Sequence, residues 1–287
     1  MNDQASELRR RLNKSKDEHE AKTISIISGK GGVGKSNVAL NFSLELLIQK
    51  KSVLIIDLDI GMGNINILLG VDPRKTIIDM FKEQLSIFDI IEQGPCNLSY
   101  IAAGSGLADF FTMNDKNRNY FYKQFTRVVS EYDYIIFDMG AGVTSDSIFF
   151  MLASDECILV TTPEPTSITD GYSMIKHIVA YNSDLPISII MNRAQNERDG
   201  QNAAAKFTDV IKQFLNKQVR ILGILPEDKH VSNAVRRQTP YLLLNERAPV
   251  SKAIKKITRT YIQCVTEEYN KPSSSFVRKL KQLILER

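Results

Sequence analysis

The chain has 287 residues, 43% hydrophobic and 24% charged, which is enough to bury the core of one large globular domain. No stretch approaches the roughly 18 uninterrupted apolar residues of a membrane-spanning helix, and the polar start lacks the apolar region of a signal peptide, so we expect a cytoplasmic protein. The 37 basic and 33 acidic residues leave a net charge of only +4, which does not by itself mark a nucleic-acid binder.

Short β-branched runs alternate along the chain with segments of helical periodicity. Strands are predicted at 23–28, 53–58, 98–102, 134–137, 157–161, 187–191 and 219–225, and helices at 35–49, 120–130, 168–181, 203–215 and 251–268. Because the strands are continuously apolar, both faces of the sheet should be covered. The pattern predicts a doubly wound α/β domain with a mainly parallel sheet and helices on both faces over residues 23–270. A charged segment, 1–22, precedes it, and 271–287 comprises a linker and a short helix.

A glycine-rich loop of sequence GKGGVGKS follows the first predicted strand. It matches the dinucleotide fingerprint G-x-G-x-x-G, with Asp57 near the place of a ribose-binding acid, and also the phosphate loop G-x-x-x-x-G-K-S. Lys35 and Ser36 favour the second interpretation, since a dinucleotide fold needs neither a lysine for the β/γ-phosphates nor a hydroxyl for Mg²⁺. A purely structural glycine turn is the remaining alternative. The predicted nucleotide-binding residues are Gly29, Gly31, Gly32, Val33, Gly34, Lys35 and Ser36.

Acidic residues follow two other predicted strands. Asp138 ends the apolar run 134–137, as expected of a Walker B carboxylate that holds Mg²⁺, and the turn 140–142 behind it could sense a γ-phosphate. Asp57 and Asp59 end the second strand two residues apart, so both should point to one face, where a carboxylate could orient an attacking water. A helix cap or a solvated loop is the structural alternative for this pair.

Lys30 distinguishes the loop from an ordinary phosphate loop. Residues 29–36, 57–61 and 138–142 together resemble the deviant Walker A ATPases of the MinD and ParA group, and the resemblance runs from residue 23 to about 268. It implies slow, dimerisation-dependent hydrolysis of ATP to ADP, in which Lys30 reaches the partner's nucleotide across an ATP-bound homodimer and Lys35 binds phosphate. Asp59 would position the hydrolytic water, and Ser36, Asp59 and Asp138 would together bind Mg²⁺.

The resemblance also covers segments after the later strands, 161–167 and 223–228. It implies that Asn192 and Pro226 contact the adenine base. One departure is Met139-Gly140, where many relatives have Ser or Thr followed by Pro or Gly, so the geometry of the switch stays open.

The amino terminus carries a second resemblance. Its first residues match the D-Q-A-x-x-L-R element of the FlhG family, MinD-like ATPases that govern the number and placement of bacterial flagella. The resemblance implies stimulation of the GTPase FlhF through this element and further partners among flagellar basal-body components. The alternative is a frayed charged terminus. The predicted partner-binding residues are Asp3, Gln4, Ala5, Leu8 and Arg9.

The carboxyl end predicts an amphipathic helix. Phe276, Leu280, Leu283 and Ile284 form one apolar stripe, with Val277 beside it and basic residues nearby. The stripe fits either an anionic membrane or the chain's own domain, and we expect docking in the monomer and release to the inner face of the cell membrane in the ATP dimer. Residues 245–287 hold ten basic and four acidic side chains, so we expect a local positive surface beside this stripe.

Several other functions remain as alternatives. A cell-division MinD lacks the amino-terminal element, and a ParA-type partitioning ATPase would bind DNA through a basic dimer surface, whereas no specific nucleic acid is expected here. The scattered Cys96, Cys157 and Cys264 argue against a disulfide framework and an iron–sulfur protein, and Tyr261 and Tyr269 do not form the terminal cluster of a tyrosine kinase. A nucleotide binder without hydrolysis also remains.

Overall fold

One eight-stranded sheet organises the chain. The computed structural model describes residues 20–60, 63–104, 114–268 and 276–285. The strand order is β3-β4-β2-β5-β1-β6-β7-β8, and only the β3–β4 pair is antiparallel. The predicted doubly wound, mainly parallel sheet is therefore confirmed. The strands are β1 (Lys22–Ile27), β2 (Val53–Leu58), β3 (Glu92–Gln93), β4 (Ser99–Ile101), β5 (Tyr134–Met139), β6 (Glu156–Thr161), β7 (Ile187–Ala194) and β8 (Arg220–Pro226).

The helices lie between these strands and after the last one. All five helices predicted within the domain are present. Three of them begin three to six residues before the predicted start, because the capping residues Asn114 and Asn196 and the first-turn Pro165 set the start instead of the first apolar residue. The helices are α1 (Lys35–Ile48), α2 (Ile65–Leu69), α3 (Ile77–Glu83), α4 (Asp115–Val128), α5 (Ser145–Ala153), α6 (Pro165–Tyr181), α7 (Glu197–Leu215), α8 (Lys229–Arg236), α9 (Tyr241–Leu244), α10 (Pro249–Glu268) and α11 (Phe276–Leu285).

Two apolar cores cover the two faces of the sheet. One contains buried residues of α1, α2, α8, α9 and α10, and the other contains those of α3 to α7 and of α11. Every residue of β2, β5 and β6 is buried, which explains why these strands are continuously apolar.

The described basic residues of 245–287 do not form one surface, so the predicted local positive surface beside the apolar stripe does not include α10. α10 packs on α1 and β8, whereas α11 packs on α4 and α5 on the other side of the sheet. The two helices bury their apolar faces in different cores, so their lysines are separated by the sheet. The predicted partner-binding residues Asp3 to Arg9 and the linker 271–275 lie outside the described residues.

Candidate nucleotide site

The glycine-rich loop lies between the central strand β1 and the amino terminus of α1. β1 is flanked by β5 and β6. The chain builds the sheet from β1 first towards β2 and later towards β8, and this reversal leaves a crevice at the carboxyl ends of the strands next to β1. Gly34, at φ 91°, is the N-cap of α1, and the first turn has neither a side-chain cap nor an acidic residue. The positive end of this helix is therefore free for an anion such as phosphate.

Two of the loop glycines are required by close packing. A Cβ on Gly34 would lie 2.5 Å from Asn192 Nδ2, and one on Gly29 would lie 2.2 Å from the backbone carbonyl carbon of Asp170 in α6. A Cβ on Gly31 would meet no atom within 4 Å. The loop is thus fixed at its two ends by β7 and α6, while its middle is open.

Lys35 and Asp138 form a buried ion pair. Lys35 Nζ lies 2.6 Å from Asp138 Oδ1, and their side chains are 7% and 0% exposed. Lys35 also donates to Ser36 Oγ at 3.3 Å, so these contacts link three of the residues predicted for phosphate and metal. Asp138 Oδ2 is buried without a hydrogen-bond partner in the described residues. An unused carboxylate oxygen beside a serine hydroxyl and a helix amino terminus fits Mg²⁺ bound with a nucleotide.

The two aspartates at the end of β2 have different surroundings. Asp57 is fully buried, and its carboxylate accepts hydrogen bonds from the backbone N–H groups of Asp59, Asn64 and Ile65. It therefore holds the turn before α2, which matches the capping alternative. Burial and the neighbouring carboxylate of Asp138 raise the pKa of Asp57 to about 7.

Asp59 lies beyond the last residue of β2. Its carboxylate is half-buried, and a Cβ placed on Gly140 would lie 3.4 Å from Asp59 Oδ1. Burial raises the pKa of this group, and the Lys35 ammonium partly opposes the increase. Asp59 is thus the member of the pair that remains available to a ligand, and it lies next to residues 140–142, the predicted switch turn.

Lys30 is held within its own chain. Its Nζ donates to Glu164 Oε2 at 3.0 Å and to Thr166 Oγ1 at 2.8 Å, both at the start of α6. The sequence did not identify these two partners as site residues. Glu164 is 63% exposed, so this ion pair can be exchanged for another anion at little cost.

The switch turn contacts the start of the phosphate loop. The N–H of Gly142, at φ 80°, donates to the carbonyl of Ser28 at 3.0 Å. Thr144 follows as the N-cap of α5 and accepts a hydrogen bond from Ser147 N. The segment between β5 and α5 thus joins the loop to a helix on the far side of the sheet.

The predicted base-site residues line one cavity. Asn192, at the end of β7, and Pro226, at the end of β8, both border a cavity of about 650 Å³ that also reaches Gly34. Asn192 Nδ2 donates to the carbonyl of Val33 at 2.7 Å and so supports the loop. Sequence patterns gave no sign of Tyr241, which lines the same cavity from α9 and is buried with its hydroxyl unpartnered among the described groups.

The carboxyl-terminal helix is docked on the domain. Phe276 and Leu280 are 1% and 0% exposed, and Val277, Leu283 and Ile284 pack against the same core. The ring centroid of Phe276 lies 4.5 Å from that of Phe125 in α4 and 5.3 Å from that of Phe137 in β5.

Lys279 adds a polar anchor to this docking. Its Nζ donates to the carbonyl of Ser154 at 3.1 Å and to Asp155 Oδ1 at 3.0 Å. The docked state expected for the stripe is therefore the one seen.

Known proteins are similar to this chain in sequence. The family described as ParA, NUBPL iron-transfer P-loop NTPase, matches residues 20–262. The chain belongs to the MinD/ParA family of P-loop ATPases. It is 30% identical to antiactivator FleN of Pseudomonas aeruginosa, covering 84% of this chain and 86% of FleN. It is 32% identical to the flagellum site-determining protein YlxH of Helicobacter pylori, covering 83% of each chain. The name of the Helicobacter relative is that of a flagellar protein, which confirms the resemblance to flagellar members of this family.

Solved structures agree with the fold. The cell-division ATPase MinD of Pyrococcus furiosus superposes with a TM-score of 0.72 at 26% identity, covering 85% of this chain and 99% of that one. The septum site-determining protein MinD of Pyrococcus horikoshii, complexed with Mg-ADP, gives 0.71 at 25% identity and covers 88% of this chain and 100% of that one.

The described residues contain neither a membrane-spanning helix nor a cluster of metal-binding side chains. No described helix is long and apolar enough to cross a membrane. Nor do the described residues include a group of three or more His, Cys, Asp or Glu side chains placed to hold a metal ion.

Proposed function

We propose that the protein is a membrane-associated switch ATPase that dimerises with ATP, controls the number or placement of flagella and stimulates the GTPase FlhF through its amino terminus. The docked position of α11 is the observation that supports the proposed switch. The apolar stripe of α11, which would otherwise bind a membrane surface, is buried in the same structure in which Glu164 holds Lys30. The similarity to FleN and YlxH supports the flagellar assignment.

The loop and its neighbours have separate tasks in hydrolysis. Lys35 leaves Asp138 for the phosphates, and the backbone N–H groups at the start of α1 bind phosphate oxygens. Ser36 and Asp138, with support from Asp59, would hold Mg²⁺, which would supply positive charge to neutralise the charge that develops on the phosphate. Asp59 orients the attacking water, because its half-buried carboxylate lies next to the turn 140–142 and can accept hydrogen bonds.

Dimerisation couples the nucleotide to membrane binding. Lys30 exchanges Glu164 for the nucleotide of the partner subunit, so that its charge contributes only when two chains meet. The movement of the switch turn is transmitted to α5, against which α11 is packed, and α11 is released. One short helix binds anionic lipid weakly, whereas a dimer presents two and gains by avidity.

Cosedimentation with liposomes tests the membrane part. The full-length protein should bind vesicles containing anionic lipid with ATP and much less with ADP, and removal of residues 275–287 should abolish the binding. Equal binding by the truncated protein would contradict this role of α11. Salt-sensitive DNA binding with ATP in place of lipid binding would instead favour a ParA-type function.

A second assay tests the amino-terminal partner. A peptide of residues 1–22 should accelerate GTP hydrolysis by FlhF, and the Gln4→Ala and Arg9→Ala peptides should be weaker, since these side chains are suited to order water and stabilise phosphate charge. A Lys14→Ala peptide is the matched control and should remain active. No acceleration by the unaltered peptide would favour a cell-division MinD.

A further inference from the structure

The outer edge of the sheet forms an open groove. β8 is the last strand in the sheet order, so within the described part of the chain its outer edge pairs with no other strand. The groove has a volume of about 560 Å³ and is lined by residues 221–224 and Pro226 of β8, by Glu197 and Gln201 of α7, and by one side of α10. Ile221 is 40% exposed on its floor.

Tight packing of both helices on β8 fixes the walls of the groove. A Cβ on Gly200 of α7 would lie 2.3 Å from Ile224 Cγ2, and a Cβ on Gly223 of β8 would lie 2.6 Å from Ile257 Cγ1 of α10. The helices therefore hold β8 from its two faces and leave its edge open. A groove with fixed walls costs little ordering free energy when a ligand binds.

The groove runs along both the strand and the helix. Its lining on α10 extends from Pro249 to Thr260, about 16 Å of helix at 1.5 Å per residue. Its lining on β8 extends from Ile221 to Pro226, about 17 Å at 3.3 Å per residue. The two lengths agree, so the groove has room for about five residues of extended chain beside β8.

Two lysines provide a charge pattern along this length. Lys252 and Lys256 are exposed on the α10 wall, and neither has an ion-pair partner among the described residues. They are one helical turn apart, about 6 Å along the helix axis. Residues i and i+2 of a strand are about 6.7 Å apart on the same face. A strand that paired with β8 could therefore place two alternate carboxylates against these lysines.

We propose that this groove binds an extended acidic segment of a partner protein, which pairs with β8 as a further strand and places carboxylates two residues apart on Lys252 and Lys256. Backbone hydrogen bonds to the free edge provide affinity, and the lysines select the segment. A second copy of this chain fits poorly, because pairing of two β8 edges would bring two sets of unpaired lysines together. Pro226 lines both the groove and the base cavity, so the bound segment ends next to the nucleotide site.

Fluorescence anisotropy with a designed peptide tests the proposal. The probe is a labelled six-residue peptide of alternating valine and glutamate, and it should bind the full-length protein saturably below about 1 mM. The double variant Lys252→Glu, Lys256→Glu should bind it at least tenfold more weakly. The matched control is Lys206→Glu, Lys212→Glu, which makes the same charge change on α7 outside the groove and should bind as the wild type does.

Two further measurements separate strand pairing from simple charge attraction. N-methylation of alternate peptide bonds on the edge that faces β8 should abolish binding, and the bound peptide should slow hydrogen exchange of β8 amides. Failure of the valine–glutamate peptide to bind, equal binding by the Lys252→Glu, Lys256→Glu variant, or equal binding of the methylated peptide would each overturn the proposal. So would binding of a single-stranded oligonucleotide at these lysines without binding of the peptide.

Discussion

Removal of the Phe276 ring should release α11 from the domain. The ring is 1% exposed and packs against Phe125 and Phe137, with centroids 4.5 Å and 5.3 Å away. Phe→Ala changes at such sites cost about 3 kcal/mol or more. Because α11 is the last helix described and can leave without unfolding the sheet, we expect this free-energy cost to weaken the docking of the helix. Since about 1.4 kcal/mol corresponds to a tenfold change, the equilibrium constant for docking should fall by roughly 100-fold.

Hydrogen–deuterium exchange with mass spectrometry measures this release directly. In the nucleotide-free Phe276→Ala protein, amides of 276–285 should exchange roughly 100-fold faster, while those of β1 and β5 should keep their protection. Leu285→Ala is the matched control, since Leu285 is 73% exposed on the same helix. If exchange in 276–285 changed by less than about twofold, or if β1 and β5 lost protection together with α11, the account of independent docking would be refuted.

Two further predictions concern the loop and the base cavity. Gly29→Ala should lower the free energy of unfolding in urea by at least about 2 kcal/mol, because the added Cβ would overlap the backbone of α6. As a control, Gly31→Ala should change this free energy by less than about 0.5 kcal/mol, since its Cβ would meet no atom within 4 Å. Equal losses in the two variants would contradict the packing argument. Asp228 accepts hydrogen bonds from the N–H groups of His230 and Val250, so Asp228→Ala should cost about 1 kcal/mol near pH 7.

The loss in the Asp228→Ala variant should depend on pH. Burial alone would raise the pKa of Asp228, but the hydrogen bonds from His230 and Val250 outweigh it and leave this pKa below its usual value. A carboxyl group whose pKa is lowered by folding stabilises the protein at pH values above its unfolded-state pKa, which is near about 4. This stabilisation is lost as the pH falls through the lower pKa of the folded state. The two proteins should therefore converge in stability under acid. A difference that stayed constant down to pH 3 would contradict the role of the charged carboxylate.

The sequence predicted the sheet better than it predicted the short helices. Strands such as β2 are buried on both faces, and a continuous apolar run identifies them directly. Most residues of α5 are apolar and buried, so it has no clear helical period, and α2 and α9 have only five and four residues. The antiparallel β3 has two residues and is recognisable only from its pairing with β4.

For the site, too, the sequence predicted what depends on local spacing but not what depends on contacts between distant segments. The spacing GKGGVGKS identified the phosphate loop because backbone geometry there demands particular residues, and Asn192 and Pro226 do meet at one cavity. The contact of Lys30 with Glu164, the use of Asp57 to hold a turn, and the place of Tyr241 depend on chain segments brought together only by the fold. The prediction of one positive surface at the basic carboxyl end was wrong for the same reason. A count of charged residues along the chain cannot reveal that the sheet separates α10 from α11.

Lys30 should convert ATP binding into dimerisation, and sedimentation velocity tests this coupling most directly. The Asp59→Ala protein, which should retain ATP without hydrolysing it, should sediment as a dimer with Mg-ATP and as a monomer with Mg-ADP. The Asp59→Ala, Lys30→Ala protein should bind ATP and remain a monomer, because the charge that each subunit supplies to its partner is missing. Equal dimerisation of the two proteins in ATP would contradict the account.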